Sequence, residues 1–514
     1  MDRYVFNISW CRINRANEMN EKKLKFLIFI VAYNAEKTIQ SVLDRIPEEM
    51  RLKYQVEILI IDDCSSDGTF ERANKRIEAG FWCGVNVLRN PVNQGYGGNQ
   101  KIGYCYAIQR GFDVVALLHG DGQYAPELLP VLAAPFSEPS PPAAVFGSRM
   151  LEKRSALRGG MPFYKYIGNK ILTNLQNFLL RSNLSEFHSG YRLYATNALR
   201  SVPFDLNTND FHFDTEIIVQ ILFSKLTITE IPIPTFYGDE VCHVNGIRYA
   251  SNVVRASIKA RLVNIGIFYD PKFDVKGLED KKYVSKLDFS STHSAAYEAV
   301  SRGSVVVDLG CSDGYLSERL AAQKNCTVFS ADLAPDQSIP GCSYQTCNLN
   351  HDLPEVPWDN LDVVILLDVI EHLNEPERFL LRLREKLSAN RKVQLIVSSG
   401  NVCFIVTRMM MFLGEFNYGK RGILDMTHTR LFNGKTLERL FRYASYKIID
   451  KRVIPAPYPL AIGMNVISRL MLRVNSWLAY ILPGLFAYQV LLKVQPNPGI
   501  EWLLERAIKS DRNK

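Results

Sequence analysis

Short apolar runs alternate with amphipathic stretches over two long segments of the chain. In the first segment, runs of strand length at 25–31, 56–61 and 113–118 are separated by stretches with helical spacing at 36–46 and 68–79. Strands that alternate with helices are typical of a parallel sheet covered by helices on both faces. The pattern therefore predicts an α/β domain.

The pattern breaks around 269–300, where the chain is polar and charged, and then begins again. The second set of buried-strand runs lies at 304–309, 327–331, 362–367 and 392–398. We predict the fold class α/β with two domains. The predicted boundaries are a disordered leader 1–22, a first domain 23–270, a linker with a lead-in helix 271–300, a second domain 301–455 and an apolar helical C-terminal segment 456–514.

Two apolar stretches near the C-terminus leave two interpretations open. Residues 474–492 carry no charge, and 402–413 are also unusually apolar. Both stretches are either helices packed in a core or a surface that dips into a membrane. A transmembrane span is disfavoured, because Pro483, Gly484 and Gln489 interrupt the longer stretch.

Composition narrows the class of protein. A chain of 514 residues with 47% hydrophobic and 22% charged residues is typical of a globular protein with more than one core. The net charge of +8 comes without dense Lys/Arg clusters, so we expect no nucleic-acid partner. The ten cysteines form no CxxC pair and the N-terminus lacks a signal-peptide pattern. We predict a cytoplasmic protein, with peripheral attachment at the inner face of a membrane as the alternative.

Four polar clusters follow the predicted strands of the first domain. They are Val31-Ala32-Tyr33-Asn34 with Glu36, the stretch from Asp62 to Thr69, the glycine-rich stretch 93–99 and His119-Gly120-Asp121-Gly122-Gln123. Ligands bind at the carboxyl ends of strands in open α/β sheets. Carboxylates there can bind a ribose or a divalent metal, and glycines let a backbone approach phosphates. Each cluster alone could also be an ordinary turn or a helix cap.

In this combination, residues 25 to about 245 resemble the family 2 glycosyltransferases of the GT-A fold, close to the polyprenyl-phosphate sugar transferases. The resemblance implies a nucleotide-sugar donor, a glycan or polyprenyl-phosphate acceptor, and Mn²⁺ or Mg²⁺. It implies arginines that face the acceptor or the diphosphate at Arg149 and Arg192. It places the nucleotide near Ala32, Tyr33, Glu36, Asp63 and Gly97, and the metal at Asp121, with Gln123 nearby.

His119 departs from the family pattern, which usually has an aspartate at that place. Imidazole binds Mn²⁺ but is a poor ligand for Mg²⁺. Either His119 is a ligand in a site that prefers Mn²⁺, or Asp121 binds the ion alone with waters and phosphates. His243, beside Asp239 and Glu240, could complete this site or could be an ordinary hydrogen-bonding residue.

Asp214 and Glu216 open a predicted helix, where such enzymes carry an acid near the acceptor. Transfer to a sugar hydroxyl needs a general base, and we predict Asp214, with Glu216 as the alternative. Both could instead be acids favoured by the helix dipole. If the acceptor is already a phosphate, no strong base is needed and both become positioning residues.

The second domain opens with a nucleoside-binding pattern. A predicted strand runs into Asp308, Gly310 and Gly314, and a second strand ends at Asp332. Glycines permit close approach, and an acid at the end of the second strand accepts hydrogen bonds from ribose. A dehydrogenase is disfavoured, because Asp308 would repel a pyrophosphate and attract a sulfonium cation.

Residues 285–455 resemble the class I methyltransferases, which implies a Rossmann-like domain that binds S-adenosylmethionine. The resemblance places Asn348 at the adenine and Asp368 at the end of the fourth strand. His372 is a candidate base or acceptor-positioning residue, although it and the neighbouring Glu371 could be structural. His428 is a second candidate. Ser312 stands where a glycine is common.

Together the two resemblances predict a bifunctional enzyme: an inverting, metal-dependent glycosyltransferase and a methyltransferase. The predicted setting is synthesis of a cell-surface polysaccharide or lipid-linked glycan. Two alternatives remain: an active methyltransferase fused to a non-catalytic glycan-binding domain, or a membrane-surface scaffold without turnover.

Overall fold

The computed structural model describes residues 23–78, 84–152, 155–235, 245–276, 286–335, 338–390 and 392–498, together with 500, 504 and 508. The chain forms two compact units. Unit 1 runs to Asn264 and includes Asp270–Asp280, whereas unit 2 comprises Ile265–Tyr269 and the chain from Lys281.

Unit 1 is built on one seven-stranded sheet. Its strands are β1 Lys25–Ala32, β2 Gln55–Asp62, β3 Val85–Arg89, β4 Val114–His119, β5 Ala144–Ser148, β6 Arg192–Ala195 and β7 Ile228–Pro232. Its helices are α1 Ile39–Asp44, α2 Glu49–Lys53, α3 Thr69–Glu78, α4 Gly95–Gln109, α5 Leu129–Ala133, α6 Ser155–Arg158, α7 Phe163–Leu180, α8 Thr196–Arg200, α9 Phe213–Phe223 and α10 Gly246–Asn264. Short 3₁₀ turns lie at Pro126–Leu128, Ala134–Ser137, Phe204–Leu206 and Pro271–Phe273.

The strand order of this sheet is β3-β2-β1-β4-β6-β5-β7. Strand β6 is antiparallel to both β4 and β5, and the other pairs are parallel. The predicted parallel sheet is therefore corrected to a mixed sheet. The residue pattern did not reveal this, because the direction of the four-residue β6 depends on the path of the chain after α7.

Strand β1 shows why the apolar runs are continuous. Phe26 and Ile28 belong to the core on one face of the sheet, whereas Leu27 and Phe29 belong to the core on the other face. Successive side chains of a strand point to opposite faces, so a strand that is covered on both faces has no polar alternation.

Unit 2 has a second seven-stranded sheet. Its strands are β8 Val305–Leu309, β9 Thr327–Asp332, β10 Cys342–Thr346, β11 Val363–Leu367, β12 Gln394–Gly400, β13 Tyr446–Ile454 and β14 Gln489–Pro496. Its helices are α11 Thr292–Ala299, α12 Tyr315–Lys324, α13 Pro376–Lys386, α14 Ile405–Phe412, α15 Gly434–Tyr443, α16 Tyr458–Ile462, α17 Val466–Ile481 and α18 Pro483–Phe486. Short 3₁₀ turns lie at Trp358–Asn360 and Ile370–His372.

The strand order is β10-β9-β8-β11-β12-β14-β13. The first five strands are parallel, and β14 is antiparallel to β12 and β13. Two α/β domains are thus confirmed.

Strand β14 corrects the prediction of a separate segment 456–514. It lies between β12 and β13, so the second domain continues well beyond residue 455. The charge-free run 474–492 is divided among α17, α18 and the start of β14. Among the residues that the structure describes, no helix has the length and apolar character needed to cross a membrane.

Candidate active sites

The carboxyl ends of β1, β2 and β4 meet at one edge of the unit 1 sheet. Ala32 at the end of β1 pairs with Asp62 of β2, and Val31 pairs with His119 of β4. The polar clusters that follow these strands therefore converge, as expected for parallel neighbours.

The loops after β1 and β2 are tied to each other. Glu36 Oε2 accepts a hydrogen bond from Gly68 N at 3.1 Å, and Asp67 Oδ2 accepts one from Glu36 N at 3.1 Å. The side chain of Tyr33 is not held in this way, and the residue is 53% exposed. An exposed aromatic ring at this edge is available to stack on a nucleobase.

Asp63 is buried and holds the glycine-rich loop. Its Oδ1 accepts hydrogen bonds from Asn90 Nδ2 at 2.7 Å and Gln94 N at 2.8 Å, and its Oδ2 accepts one from Gly95 N at 3.0 Å. The Asp63 carboxylate therefore fixes the glycine-rich loop, and its predicted contact with the nucleotide stays a prediction.

Gly97, which is predicted to lie near the nucleotide, makes close contacts within unit 1. Its N–H donates to Asn209 O at 2.8 Å, and a Cβ added to it would lie 2.4 Å from Thr208 O and 2.7 Å from Phe213 Cβ. The missing side chain is needed for close packing of α4 against the chain before α9.

A buried polar network extends from His119 into unit 1. The Tyr96 hydroxyl lies 3.4 Å from His119 Nε2 and donates to Asp214 Oδ2 at 3.0 Å. Asp214 Oδ1 lies 3.2 Å from Arg192 Nη1 and accepts a hydrogen bond from Gln100 Nε2 at 3.3 Å. Sequence reasoning missed Tyr96 and Gln100, which lie more than a hundred positions before Asp214.

Arg192, which is predicted to face the acceptor or the diphosphate, is paired with Asp214 in this network. Its side chain is buried, and it also donates to Ser189 O at 2.7 Å and Phe187 O at 2.8 Å. Arg149 is paired in a similar way with the buried Glu186, whose Oε1 accepts from Arg149 Nε at 3.1 Å. Glu186 lies in a loop and gave no signal in the sequence.

Glu216 is also engaged within unit 1. Its Oε1 lies 2.7 Å from Lys272 Nζ, and its Oε2 accepts a hydrogen bond from Thr208 N at 2.6 Å. Both predicted bases, Asp214 and Glu216, are therefore buried carboxylates with partners on each oxygen.

The residues at this edge fit a metal ion only in part. Burial lowers the pKa of His119, so its imidazole is neutral and could be a ligand. Asp121 is partly exposed and its Oδ1 accepts a hydrogen bond from Gln123 N at 3.0 Å. Within the described part of the chain, no three His, Cys, Asp or Glu side chains are grouped to hold an ion. An ion here would need substrate oxygens as further ligands. His243, Asp239 and Glu240 lie outside the described residues.

The glycine loop of unit 2 follows β8 and leads into α12. Gly310 and Gly314 have φ angles of +78° and +73°, in the left-handed region that favours glycine. Asp308 is buried, and its Oδ2 accepts a hydrogen bond from Ser317 Oγ at 2.7 Å. Burial raises the pKa of Asp308 to about 6.

The acid at the end of β9 closes the loop. Asp332 Oδ2 accepts a hydrogen bond from Ser312 N at 2.8 Å, and its Oδ1 accepts one from Leu333 N at 2.7 Å. Asp332 remains partly exposed at the same edge as the exposed Asn348, which follows β10. The predicted nucleoside contacts therefore share one edge of the sheet.

Asp368 lies at the end of β11 in a left-handed conformation, with φ +56°. Its Oδ1 accepts a hydrogen bond from Ser398 Oγ at 2.7 Å, and its Oδ2 accepts one from Gln489 Nε2 at 2.6 Å. Gln489 was missed by sequence reasoning, because it belongs to β14. A non-glycine residue at positive φ is costly and is often found at a functional site.

The structure brings His372 and His428 together, with ring centroids 4.7 Å apart. His428 Nδ1 lies 3.0 Å from Ile423 O, and His372 Nδ1 lies 3.3 Å from Thr427 O and 3.1 Å from Thr427 Oγ1. A carbonyl oxygen only accepts, so both Nδ1 atoms carry the proton and both Nε2 atoms are left as bases. Thr427 Oγ1 donates in turn to Asp425 Oδ1 at 2.7 Å.

Glu371 lies next to this pair and is almost completely buried. Its Oε1 accepts a hydrogen bond from Gly400 N at 3.2 Å, whereas its Oε2 has no partner among the described residues. Burial, together with the negative charge of Asp368, raises the pKa of Glu371 to about 8. This carboxyl group is therefore protonated at neutral pH.

The two sites lie in segments that match two protein families. Residues 27–202 match Glycosyl transferase family 2, and residues 285–451 match a Methyltransferase domain. The chain therefore carries a family 2 glycosyltransferase domain and a methyltransferase domain.

Three of the relatives that match this chain are similar to it over 42–44% of its length. An uncharacterized protein of Methanocaldococcus jannaschii is 28% identical over 44% of this chain and 86% of its own length. The UDP-N-acetylglucosamine–dolichyl-phosphate N-acetylglucosaminyltransferase of Methanococcus voltae is 28% identical over 42% of this chain and 87% of its own. The undecaprenyl-phosphate mannosyltransferase of Micrococcus luteus is 26% identical over 42% of this chain and 86% of its own.

Proposed function

We propose that unit 1 transfers a sugar from a nucleotide-sugar directly to a polyprenyl phosphate, with inversion at the sugar carbon. The observation that carries this proposal is the burial and hydrogen bonding of the Asp214 and Glu216 carboxylates. Both are buried, and hydrogen bonds or ion pairs engage each carboxylate oxygen. Either carboxylate would have to exchange these partners before it could take a proton from an acceptor hydroxyl.

A phosphate acceptor removes the need for a base. Its oxygen is already anionic, so it can attack the sugar carbon while the nucleoside diphosphate leaves from the opposite side. The names of the relatives from Methanococcus voltae and Micrococcus luteus, which act on dolichyl and undecaprenyl phosphate, support the same acceptor class.

The residues at the sheet edge are proposed to hold the donor. Tyr33 stacks on the base, and Asp121 with His119 would hold a divalent ion, which neutralises charge on the leaving diphosphate when bound. The Tyr96 hydroxyl contacts the His119 ring and is itself held by Asp214, which is paired with Arg192. His119 and Asp121 thus remain the proposed ligands.

An acceptor comparison tests this proposal. Purified full-length protein is given labelled UDP-, GDP- and dTDP-sugars with Mn²⁺ or Mg²⁺, and either a polyprenyl phosphate or the matching polyprenol. We expect label to reach only the phosphorylated lipid. Asp121→Asn should abolish the reaction, whereas Asp113→Asn, which changes an exposed aspartate near the start of β4, should leave it intact. Transfer to the polyprenol or to a soluble sugar would overturn the acceptor assignment.

For unit 2 we propose methyl transfer from S-adenosylmethionine to a hydroxyl of the glycan, with His372 as the base and His428 as its partner. S-adenosylmethionine supplies the electrophilic methyl group when bound. The Nε2 of His372 takes the hydroxyl proton, and Thr427 and Asp425 orient the ring through Nδ1. Asp332 and the loop from Gly310 to Gly314 would hold the nucleoside and the amino-acid part of the cofactor.

The proposed role of His372 is tested by measuring both the rate of methyl transfer and the binding of S-adenosylhomocysteine. His372→Gln should reduce methyl transfer to the product of unit 1 by about a hundredfold or more, because general-base catalysis is typically worth that much. The dissociation constant for S-adenosylhomocysteine should not change. A parallel loss of cofactor binding would instead assign His372 to the cofactor pocket.

A further inference from the structure

Helix α17 carries its polar and apolar residues on the opposite sides from those expected in a globular protein. Its buried residues are Ser468, Asn475 and Ala479. Its large side chains face outward, with Trp477 63% and Tyr480 83% exposed. A helix at the surface of a globular domain normally buries its apolar stripe.

The inward polar side chains of α17 have specific partners. Asn475 Oδ1 accepts a hydrogen bond from Ala456 N at 2.7 Å, and its Nδ2 donates to Phe486 O at 3.1 Å. Ser468 and Asn465 cap the helix through reciprocal hydrogen bonds. The helix is therefore fixed in this orientation by its polar contacts, and its apolar residues are left outside.

Helix α14 shows the same inversion. Its buried residue is Thr407, whereas Val406 and Met409 are exposed and Phe412 is 84% exposed. Phe404 at its start shares a buried cluster with Ala456, just before α16, and α16 packs on α17. We call the outward residues of α14, α16 and α17, together with Leu413 just after α14, the apolar face of unit 2. Its most exposed members include Phe412, Leu413, Val466, Ile467, Trp477 and Tyr480.

The charged residues within α14, α16 and α17 are all basic, whereas the exposed Glu415 follows α14. The sequence contains no Asp or Glu between Asp450 and Glu501. Arg408 on α14 and Arg469 and Arg473 on α17 are exposed. An anionic partner is therefore favoured, whereas a second copy of the same face would bring arginines against arginines.

We propose that the apolar face of unit 2 docks this protein on an anionic lipid bilayer. Exposed Trp and Tyr rings suit the headgroup level of a membrane, and apolar side chains beside arginines are typical of helices that lie in the interface. None of the named residues of this face is a candidate site residue, so membrane docking is proposed independently of the two reactions.

Vesicle co-sedimentation of the full-length protein tests this inference. Vesicles of phosphatidylcholine alone are compared with vesicles of equal parts phosphatidylcholine and phosphatidylglycerol. We expect sedimentation with the anionic vesicles and weakened binding at high salt. The double variant Ile467→Ser/Trp477→Ser should lower the partition coefficient on the order of tenfold, because it removes two inserted apolar side chains.

The control is Tyr443→Ser, which removes an aromatic residue that is 77% exposed on α15, outside the apolar face. Arg469→Glu/Arg473→Glu should weaken binding to anionic vesicles and leave binding to neutral vesicles unchanged. Each variant is checked by its melting temperature and by S-adenosylhomocysteine binding, which should match the unchanged protein. Equal binding by the Ile467/Trp477 variant, or a dimer in light scattering that only this variant dissociates, would overturn the proposal.

Discussion

Ser312 has a backbone φ of +52°, in the left-handed region that a side chain disfavours. It lies between Gly310 and Gly314, and its N–H donates to Asp332 Oδ2 at 2.8 Å. The loop therefore requires this conformation, and a serine adopts it at a cost. The family pattern, which favours glycine here, reflects the same backbone requirement.

Ser312→Gly should raise the free energy of unfolding of unit 2 by about 0.5–1 kcal/mol, because relief of the left-handed strain exceeds the extra entropy of glycine in the unfolded chain. Thermal or urea unfolding with S-adenosylhomocysteine absent measures the change. Ser301→Gly is the matched control at an exposed position with no positive φ, and it should lower stability. Equal effects of the two substitutions would contradict the strain argument.

Glu371 makes the stability of unit 2 depend on pH. Its folded pKa of about 8 is raised above the ordinary value of 4.5 by burial and then by Asp368. The folded state favours the protonated carboxyl. Its contribution to the free energy of unfolding is therefore fully present below about pH 4.5 and is lost as the pH rises toward 8.

Glu371→Gln should therefore stabilise unit 2 relative to the unchanged protein at pH 8, on the order of 2 kcal/mol, and far less at pH 5. Melting temperatures over this pH range provide the measurement. Glu375→Gln, at an exposed side chain on the next turn of the chain, should give a curve parallel to that of the unchanged protein. If the melting temperature of Glu371→Gln also followed that of the unchanged protein at every pH, the raised pKa of Glu371 would be wrong.

At the scale of elements, helix α4 depends on its glycines for packing. A Cβ at Gly97 would meet Thr208 O at 2.4 Å, so the helix approaches the chain before α9 closely. Gly168 in α7 has no neighbouring atom within 4 Å of an added Cβ. The same substitution should thus have opposite effects in the two helices.

Gly97→Ala should destabilise unit 1 by about 2–3 kcal/mol through overpacking. Gly168→Ala should stabilise it by about 0.5–1 kcal/mol, because alanine is the better helix former. Chemical unfolding of both variants checks the pair. If Gly97 instead served a phosphate, its alanine variant would lose nucleotide binding without losing stability.

At the scale of the whole molecule, the two candidate sites lie on different sheets, and different ligands are proposed for them. We expect two ligands to act separately: a nucleotide together with a metal ion, and S-adenosylhomocysteine. At a hundred times its dissociation constant, each should stabilise the unit that binds it by about 2.7 kcal/mol and so raise the melting temperature of that unit. Asp121→Ala should abolish only the nucleotide shift, and Asp332→Ala only the S-adenosylhomocysteine shift. Loss of both shifts in either variant would show that the two sites are not independent.

The sequence predicted much of this organisation because its signals are local. Continuous branched runs such as 25–31 and 304–309 follow from burial on both faces, and polar residues just after them follow from the edge where parallel strands end. The two α/β domains and both family resemblances were available from the chain alone.

Tertiary structure decided what depends on distant partners. Whether a carboxylate such as Asp63, Asp214 or Glu216 serves a ligand or the fold depends on which donors lie beside it, and those donors come from remote positions. The pairing of His372 with His428 joins two elements in the same way.

The C-terminal region shows the division most clearly. The sequence showed that this region is apolar, but its composition alone did not distinguish a buried strand from an exposed helix face. Strand β14 places its apolar residues inside the unit 2 sheet, whereas α17 turns its own outward, because Ser468, Asn475 and Ala479 occupy the side that faces the fold. The sequence by itself determined two α/β folds and their chemistry-bearing edges. Only the tertiary structure decided which polar groups are engaged within the fold and which apolar residues remain exposed, because both depend on neighbours brought together by folding.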